Sequence, residues 1–409
     1  MRLEIAALAA LSWLFFSLDA ASQPPADQEV AALRVELARL TERLARLEQS
    51  IAQSSASARL EEQSPAAQRP AAVARPWTET VKLSGDLRYR HETINDDAAP
   101  LRHQHRIRAR AAVNAQVARN MSAGFGLSTG GLTNDSGNQT LDEGFSFKDV
   151  GVDLAYLDWG ITEELDLIAG KMPNPFFRPA DHHLIYDGDL RPEGLALKYG
   201  AGHLFGNAAA FWVEERAGEA DAMLLGLQGG YRGTLDNGIG FTAGLSYYET
   251  THTRGRAPIF TTDDGQGNQL DENGDYLYGF SEIELFSELE LDLGGQPLTL
   301  FLDYVRNADA GVFDEGYAIG ASYRRLSAPG DWSIAYIYED VEANAVVGAF
   351  TDSDFANGTS DGSGHSLLGG YVFPGGWNLA LRYIVGDRGE AAGNKRDYNR
   401  LQADINLRY

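Results

Sequence analysis

The last nine residues, Leu401 to Tyr409, alternate without a break. Leu401, Ala403, Ile405, Leu407 and Tyr409 are apolar, and Gln402, Asp404, Asn406 and Arg408 between them are polar. A two-residue period puts alternate side chains on opposite faces of an extended strand. The same period begins at Val81. In VKLSGDLRYRH, Val81, Leu83, Leu87 and Tyr89 alternate with Lys82, Asp86, Arg88 and Arg90. In HRIRARAAVNAQVA, Ile107, Ala109, Ala111, Val113, Ala115 and Val117 alternate with Arg106, Arg108, Arg110, Asn114 and Gln116. Sixteen such segments run from residue 81 to the end of the sequence.

The connections sort by length. Short ones fall near residues 120, 162, 202, 236, 295, 328 and 375. Longer ones span about 91–104, 130–148, 172–191, 214–220, 251–278, 307–315, 341–362 and 386–397. Short turns at one end and long loops at the other are the signature of an up-and-down barrel. The pattern predicts an all-β fold, a 16-stranded antiparallel transmembrane β-barrel over residues 79–409. A soluble sandwich fits less well, because the charged face of strand after strand would then be its core. In a wide barrel that face is a wet lumen. An even strand number leaves both barrel ends on the periplasmic side, with the long loops outside. Tyr89, Trp332, Tyr338, Tyr371, Trp377, Tyr383 and Tyr409 on the apolar face suggest interfacial girdles. The final aromatic resembles the C-terminal signal read by barrel-assembly machinery.

Upstream the period changes. Val30, Leu33, Leu37, Leu40, Leu44, Leu47 and Ile51 are spaced alternately three and four apart, an a/d seam that predicts a coiled coil over 26–52. Residues 53–78, rich in Ala, Ser, Gln and Pro, read as a flexible linker. Residues 1–22 read as a secretory signal: Arg2, then an apolar run from Ile5 to Leu18, then small residues. That run is too short to span a bilayer as a helix. The coiled coil is therefore expected in the periplasm, beneath a barrel in the outer membrane.

Composition narrows the function classes. The chain carries 58 acidic and 34 basic residues, a formal charge of −24, which argues against a nucleic-acid partner. It has no Cys, which excludes disulfides, thiolate metal sites and thiol nucleophiles. With 45 Gly, 18 Tyr and 18 Phe it has a strand-rich composition.

The run AGKMPNPFFRPADHHLIYDGDLRPEGLALKYG, residues 169–200, resembles the family of proteobacterial porins that carry an N-terminal coiled coil. The resemblance rests on its Gly-Lys-Met-Pro-Asn-Pro-Phe turn, Asp-Gly-Asp-Leu segment and Pro-Glu-Gly-Leu-Ala-Leu strand. Phosphate-selective porins share the layout. The resemblance implies a homotrimeric outer-membrane channel.

A diffusion channel needs a narrow, charged waist. The third long loop, stiffened by Pro173, Pro175 and Pro179 and charged at Arg178, Asp181, Asp187, Asp189 and Arg191, is the expected constriction loop. Strands one and two present Arg88, Arg90, Arg106, Arg108 and Arg110 inward, and the last two strands add Arg382 and Arg408. Strand ten presents Glu282, Glu284, Glu288, Glu290 and Asp292, joined by Asp303 and Glu339. A basic wall would thus face an acidic one, and walls of charge confer pore selectivity. The alternative is that these are solvated residues pairing locally.

Weaker signals are weighed beside these. Asp271, Asn273, Asp275 and Glu282 match a calcium-loop spacing, but Tyr276 stands where the loop needs Gly. The acids of 263–275 fit a solvated outer loop near lipopolysaccharide better. His182 and His183 are adjacent and point apart, which makes them poor joint ligands, and so are His365 and Ser366, which disfavours an enzyme. No cofactor or metal is expected. The leading expectation is a passive porin for small hydrophilic solutes. The alternatives are an anion- or phosphate-selective channel and, in another class, a structural tether from outer membrane to peptidoglycan through the coiled coil.

Overall fold

The computed structural model describes residues 80–97, 99–130, 134–261 and 265–409. The signal, the coiled coil and the linker (1–22, 26–52 and 53–78) lie outside the described residues.

The strands are β1 Val81–Asp96, β2 Arg102–Ala118, β3 Met121–Thr129, β4 Val150–Gly160, β5 Leu165–Lys171, β6 Glu193–Ala201, β7 Leu204–Glu214 and β8 Ala222–Thr234. They continue as β9 Gly240–Thr250, β10 Phe280–Asp292, β11 Pro297–Asn307, β12 Glu315–Tyr323, β13 Trp332–Val341, β14 Gly362–Val372, β15 Asn378–Arg388 and β16 Arg396–Arg408. A two-residue strand, Gln139–Thr140, pairs with β2 inside the second long loop. Each of the sixteen pairs antiparallel with the next, and β1 pairs with both β2 and β16, so the sheet closes on itself. Closure leaves no free edge, which a membrane-spanning sheet requires.

The alternation settles the register. On β10, Ile283, Leu285 and Leu289 are exposed outward, while Glu282, Glu284 and Phe286 between them are buried inward. At the seam, Tyr409 continues β16 by exchanging two backbone hydrogen bonds with Gly85, of 3.0 and 3.1 Å. A side chain at Gly85 would run into the Tyr409 ring and the Arg110 carbonyl. Glycine at this place lets the terminal aromatic lie across the strand.

The first long connection differs from the sequence reading. β1 and β2 extend to Asp96 and from Arg102, so the loop is 97–101 rather than 91–104. The outward residues there are His91, Thr93, His103 and His105, which break the apolar pattern without breaking the strand. Thr93 pairs with His103 and His91 with His105 in the ladder.

The hydrophobic core lies where two loops meet the inward wall. Met172, Phe176, Leu184, Ile185 and Tyr186 from loop 172–192 pack with Ala345, Val346, Val347 and Phe350 from loop 342–361. Inward-facing Phe211, Leu224, Tyr248 and Phe301 complete the cluster. Gly226 on β8 leaves the space that the Phe176 ring occupies. Most of loop 342–361 is buried. Asn268 holds it by donating to the carbonyls of Ala343 (2.6 Å) and Val346 (2.8 Å) and accepting from the Gly348 N–H (2.8 Å).

Candidate functional site

The register of β1 and β2 sets Arg88 opposite Arg108 and Arg90 opposite Arg106. Like charges directly across a ladder repel, so these guanidiniums need acids beside them. Four come from the wall itself. Arg90 makes a two-pronged pair with Asp404 on β16, of 2.7 and 2.9 Å. Asp86 takes Arg108 at 3.0 Å and Arg110 at 2.7 Å. Glu92 takes Arg400 at 2.6 Å and Arg106 at 3.4 Å. Asp96 takes Arg388 at 2.6 Å and Arg396 at 2.9 Å. Arg408 is exposed at the turn end of β16, opposite Asp86 in register.

The loops supply the remaining acids. Asp189 of loop 172–192 pairs with Arg108 and Arg110, both at 3.1 Å. Asp352 and Asp354 of loop 342–361 pair with Arg382 at 2.8 Å and Arg90 at 3.0 Å, and Asp354 also meets Arg400 at 2.9 Å. Burial works against the Asp189 charge, but Arg108 and Arg110 override it and hold its pKa below the ordinary range. Burial likewise opposes the Asp352 charge, and Arg382 and His183 bring its pKa down to about 2.

Asp187 is the contrary case. Burial and the Asp352 charge push its pKa up to about 7. Its carboxylate faces N–H donors rather than a cation, accepting from Asp189 N (2.7 Å) and Ser353 N (2.9 Å). Beside it burial lowers His183 to about 4. Ligand atoms of His183, Asp187 and Asp352 lie within 4.8 Å of one another, but Arg382 and the two N–H groups already occupy the carboxylates. In the same loop Arg191 pairs with Asp153 at 3.4 Å, Arg178 donates to the Tyr186 carbonyl at 3.2 Å, and Asp181 is exposed.

The far end of loop 172–192 lies against β8, β10 and β13. Phe177 and Gln228 exchange two hydrogen bonds, of 2.7 and 3.0 Å. Ala180 N donates to Glu288 at 2.6 Å, and His182 Nε2 stands 3.4 Å from Glu339. Ala180 and Asp181 take left-handed φ of 51° and 54°, strain that this anchoring offsets. Glu282, Glu284, Asp303 and Glu339 are all buried under the two loops. Val347 N donates to Glu282 at 3.1 Å, and Ser246 and Tyr248 donate to Glu284. Glu290 and Asp292, nearer the turns, hold Arg325 (2.5 Å) and Gly295 N (2.8 Å).

Sequence reasoning passed over Asp86, Glu92, Asp96, Asp404 and Arg400. Asp86 and Asp404 lie within the alternation that exposed the arginines, so the same inward parity could have found them, whereas Glu92 and Asp96 fall in the stretch read as loop 91–104. Asp352 and Asp354 carried no such signal. The remaining candidates separate. Asp271 caps the backbone of Asn273 and Asp275, while Glu282 belongs to β10. His365 contacts Tyr336 at 2.7 Å outside, and Ser366 lies inside within 3.5 Å of Arg382.

Comparisons with known proteins bear on the fold and the family. Comparison with curated protein sequences finds no match. The fold is similar to OprB of Pseudomonas putida, with a TM-score of 0.55 at 12% identity, over 81% of this chain and 95% of that one. It is also similar to Salmonella typhi OmpF, solved with daunomycin, with a TM-score of 0.50 at 13% identity, over 80% of this chain and 97% of that one. The profile of the family described as "Putative porin" matches residues 93–274 and 304–409, more than half of the chain. The chain belongs to that family, and its closed sixteen-stranded barrel is an outer-membrane porin channel.

Proposed function

We propose that the protein is a passive, trimeric diffusion channel for small hydrophilic solutes, narrowed by loops 172–192 and 342–361 against an arginine-rich wall. The observation that carries this reading is the span of loop 172–192. Its Asp189 is ion-paired to β2, and its Ala180 hydrogen-bonds to β10. A loop tied to both sides of a ring divides the lumen, and it brings buried charge to the remaining passage. Field lines concentrate there because the surrounding walls have a low dielectric.

In this reading residues 1–22 direct export, and the coiled coil of 26–52 hangs on its linker in the periplasm and helps hold the trimer. Apart from Arg88, the arginines of β1 and β2 act as a compensated network rather than as free cations. The acids of β10, β11 and β13 anchor the loops. Lipopolysaccharide would meet the outer loops.

Proteoliposome swelling tests the reading. Swelling should be rapid in small sugars and fall steeply with solute size. Vesicles that carry folded protein and do not swell in any small solute would contradict it.

A further inference from the structure

A cavity of about 460 Å³ lies beside the arginine network, within the usual size range of small-ligand sites. Its lining includes Arg88, Arg90 and Arg382 together with the apolar Ala335, Ile337, Leu368 and Ala380. These four apolar residues are on the inward face, since Ile334, Tyr336, Leu367 and Leu381 beside them are exposed outward. An apolar inward wall is unusual, because barrel lumens are polar.

The arginines are unequally compensated. Arg90 is held by Asp404 and Asp354, and Arg382 by Asp352. Arg88 has a neutral partner, the Asn138 amide oxygen at 2.7 Å. Its nearest carboxylate, Asp404, is 3.9 Å away and is already gripped by Arg90. Arg88 Nε is buried without a hydrogen-bond partner. The cavity therefore offers both a cation with spare charge and an apolar wall. Asp354 and Asp404 also border it.

Resting on the channel reading, we propose that this cavity is a subsite for monocarboxylates with an apolar body, the carboxylate on Arg88 and the chain on Ala335, Leu368 and Ala380. Inorganic phosphate can use the guanidinium but gains nothing from the apolar wall. A neutral sugar has no charge for Arg88. A dicarboxylate would bring its second charge toward Asp354 or Asp404.

The test is isothermal titration of the purified full chain with hexanoate, acetate, phosphate and glucose, beside KCl conductance of the same preparation in a planar bilayer. Hexanoate should bind at least about tenfold tighter than acetate or phosphate, from burial of its extra methylenes. Arg88→Gln should weaken hexanoate about tenfold, the scale of a charged hydrogen bond. Leu368→Asn should narrow the gap between hexanoate and acetate. Heat-modifiability on gels confirms that each variant is folded. Hexanoate binding no tighter than acetate, or unchanged in folded Arg88→Gln, would overturn the subsite. Should KCl pass in that event, the channel reading survives alone. Hexanoate bound as expected by a barrel that passes no KCl would sustain the subsite and sink the channel.

Discussion

Arg90 on β1 and Asp404 on β16 meet in a two-pronged ion pair of 2.7 and 2.9 Å across the seam that closes the barrel. The two residues are 314 positions apart in sequence. The pair forms only when the last strand finds the first, so it reports closure. Both side chains are largely buried, 6% and 13% exposed. Removing Asp404 leaves Arg90 with Asp354 alone, so the cost stays below the roughly 3–5 kcal/mol of stranding a buried charge outright. Asp404→Ala should lower the temperature at which the folded band converts to the unfolded one on gels. Replacing both residues by apolar ones should cost less than the worse single change.

The same seam predicts the effect of a small change. Gly85 faces the Tyr409 ring, and an added Cβ would also meet the Arg110 carbonyl, a backbone atom that cannot swing away. Gly85→Val should reduce the yield of assembled barrel, read as the heat-modifiable fraction in outer membranes. Removing Tyr409 should act in the same direction, through loss of its two backbone hydrogen bonds. Assembly at the wild-type level in both variants would contradict this account of the seam.

The contact between the two loops should depend on pH. In the folded protein Asp187 keeps its proton up to about pH 7, against the ordinary carboxylate value of 3.8. The folded state binds the extra proton between those values, so the contact weakens as pH rises through that window. His183, lowered from 6.5 to about 4 by burial, works the other way and weakens the contact as pH falls from 6.5 toward 4. Above pH 6.5 Asp187 acts alone. Chymotrypsin cleavage after Phe177 or Tyr186 should therefore increase from pH 6.5 to 8. Asp187→Asn should show no such increase.

Much of this was legible in the sequence. Sixteen strands and their facing follow from a period of two, because lipid demands apolar side chains on one face and tolerates almost anything on the other. The pattern failed where that demand ends. Beyond Tyr89 the outward residues turn to His91 and Thr93, and the strands continue past the signal that announced them. The inward course of loop 342–361 was not legible either. Its apolar run, Ala345 to Phe350, has no period, and its place is set by distant partners: Asn268, Glu282 and Tyr186. The charged wall was half legible. Parity revealed the arginines, but their compensation depends on Asp189, Asp352 and Asp354, which only the folded loops deliver.

Asp189 is the link between loop 172–192 and the arginines. Asp189→Ala removes two ion pairs at 3.1 Å and leaves Arg108 and Arg110 with Asp86 alone. The loop end should loosen, and one negative charge leaves the passage. Open-channel current noise should rise, and the reversal potential in a salt gradient should move toward anions. An unchanged reversal potential would place the loop outside the conducting path.

The central claim is that this barrel conducts through a lumen shared with two anchored loops. Single-channel recording of the purified full chain in a planar bilayer tests it most directly. The account predicts discrete conductance steps that arrive in threes, one for each barrel of a trimer. Folded, heat-modifiable protein that inserts and gives no steps would contradict it.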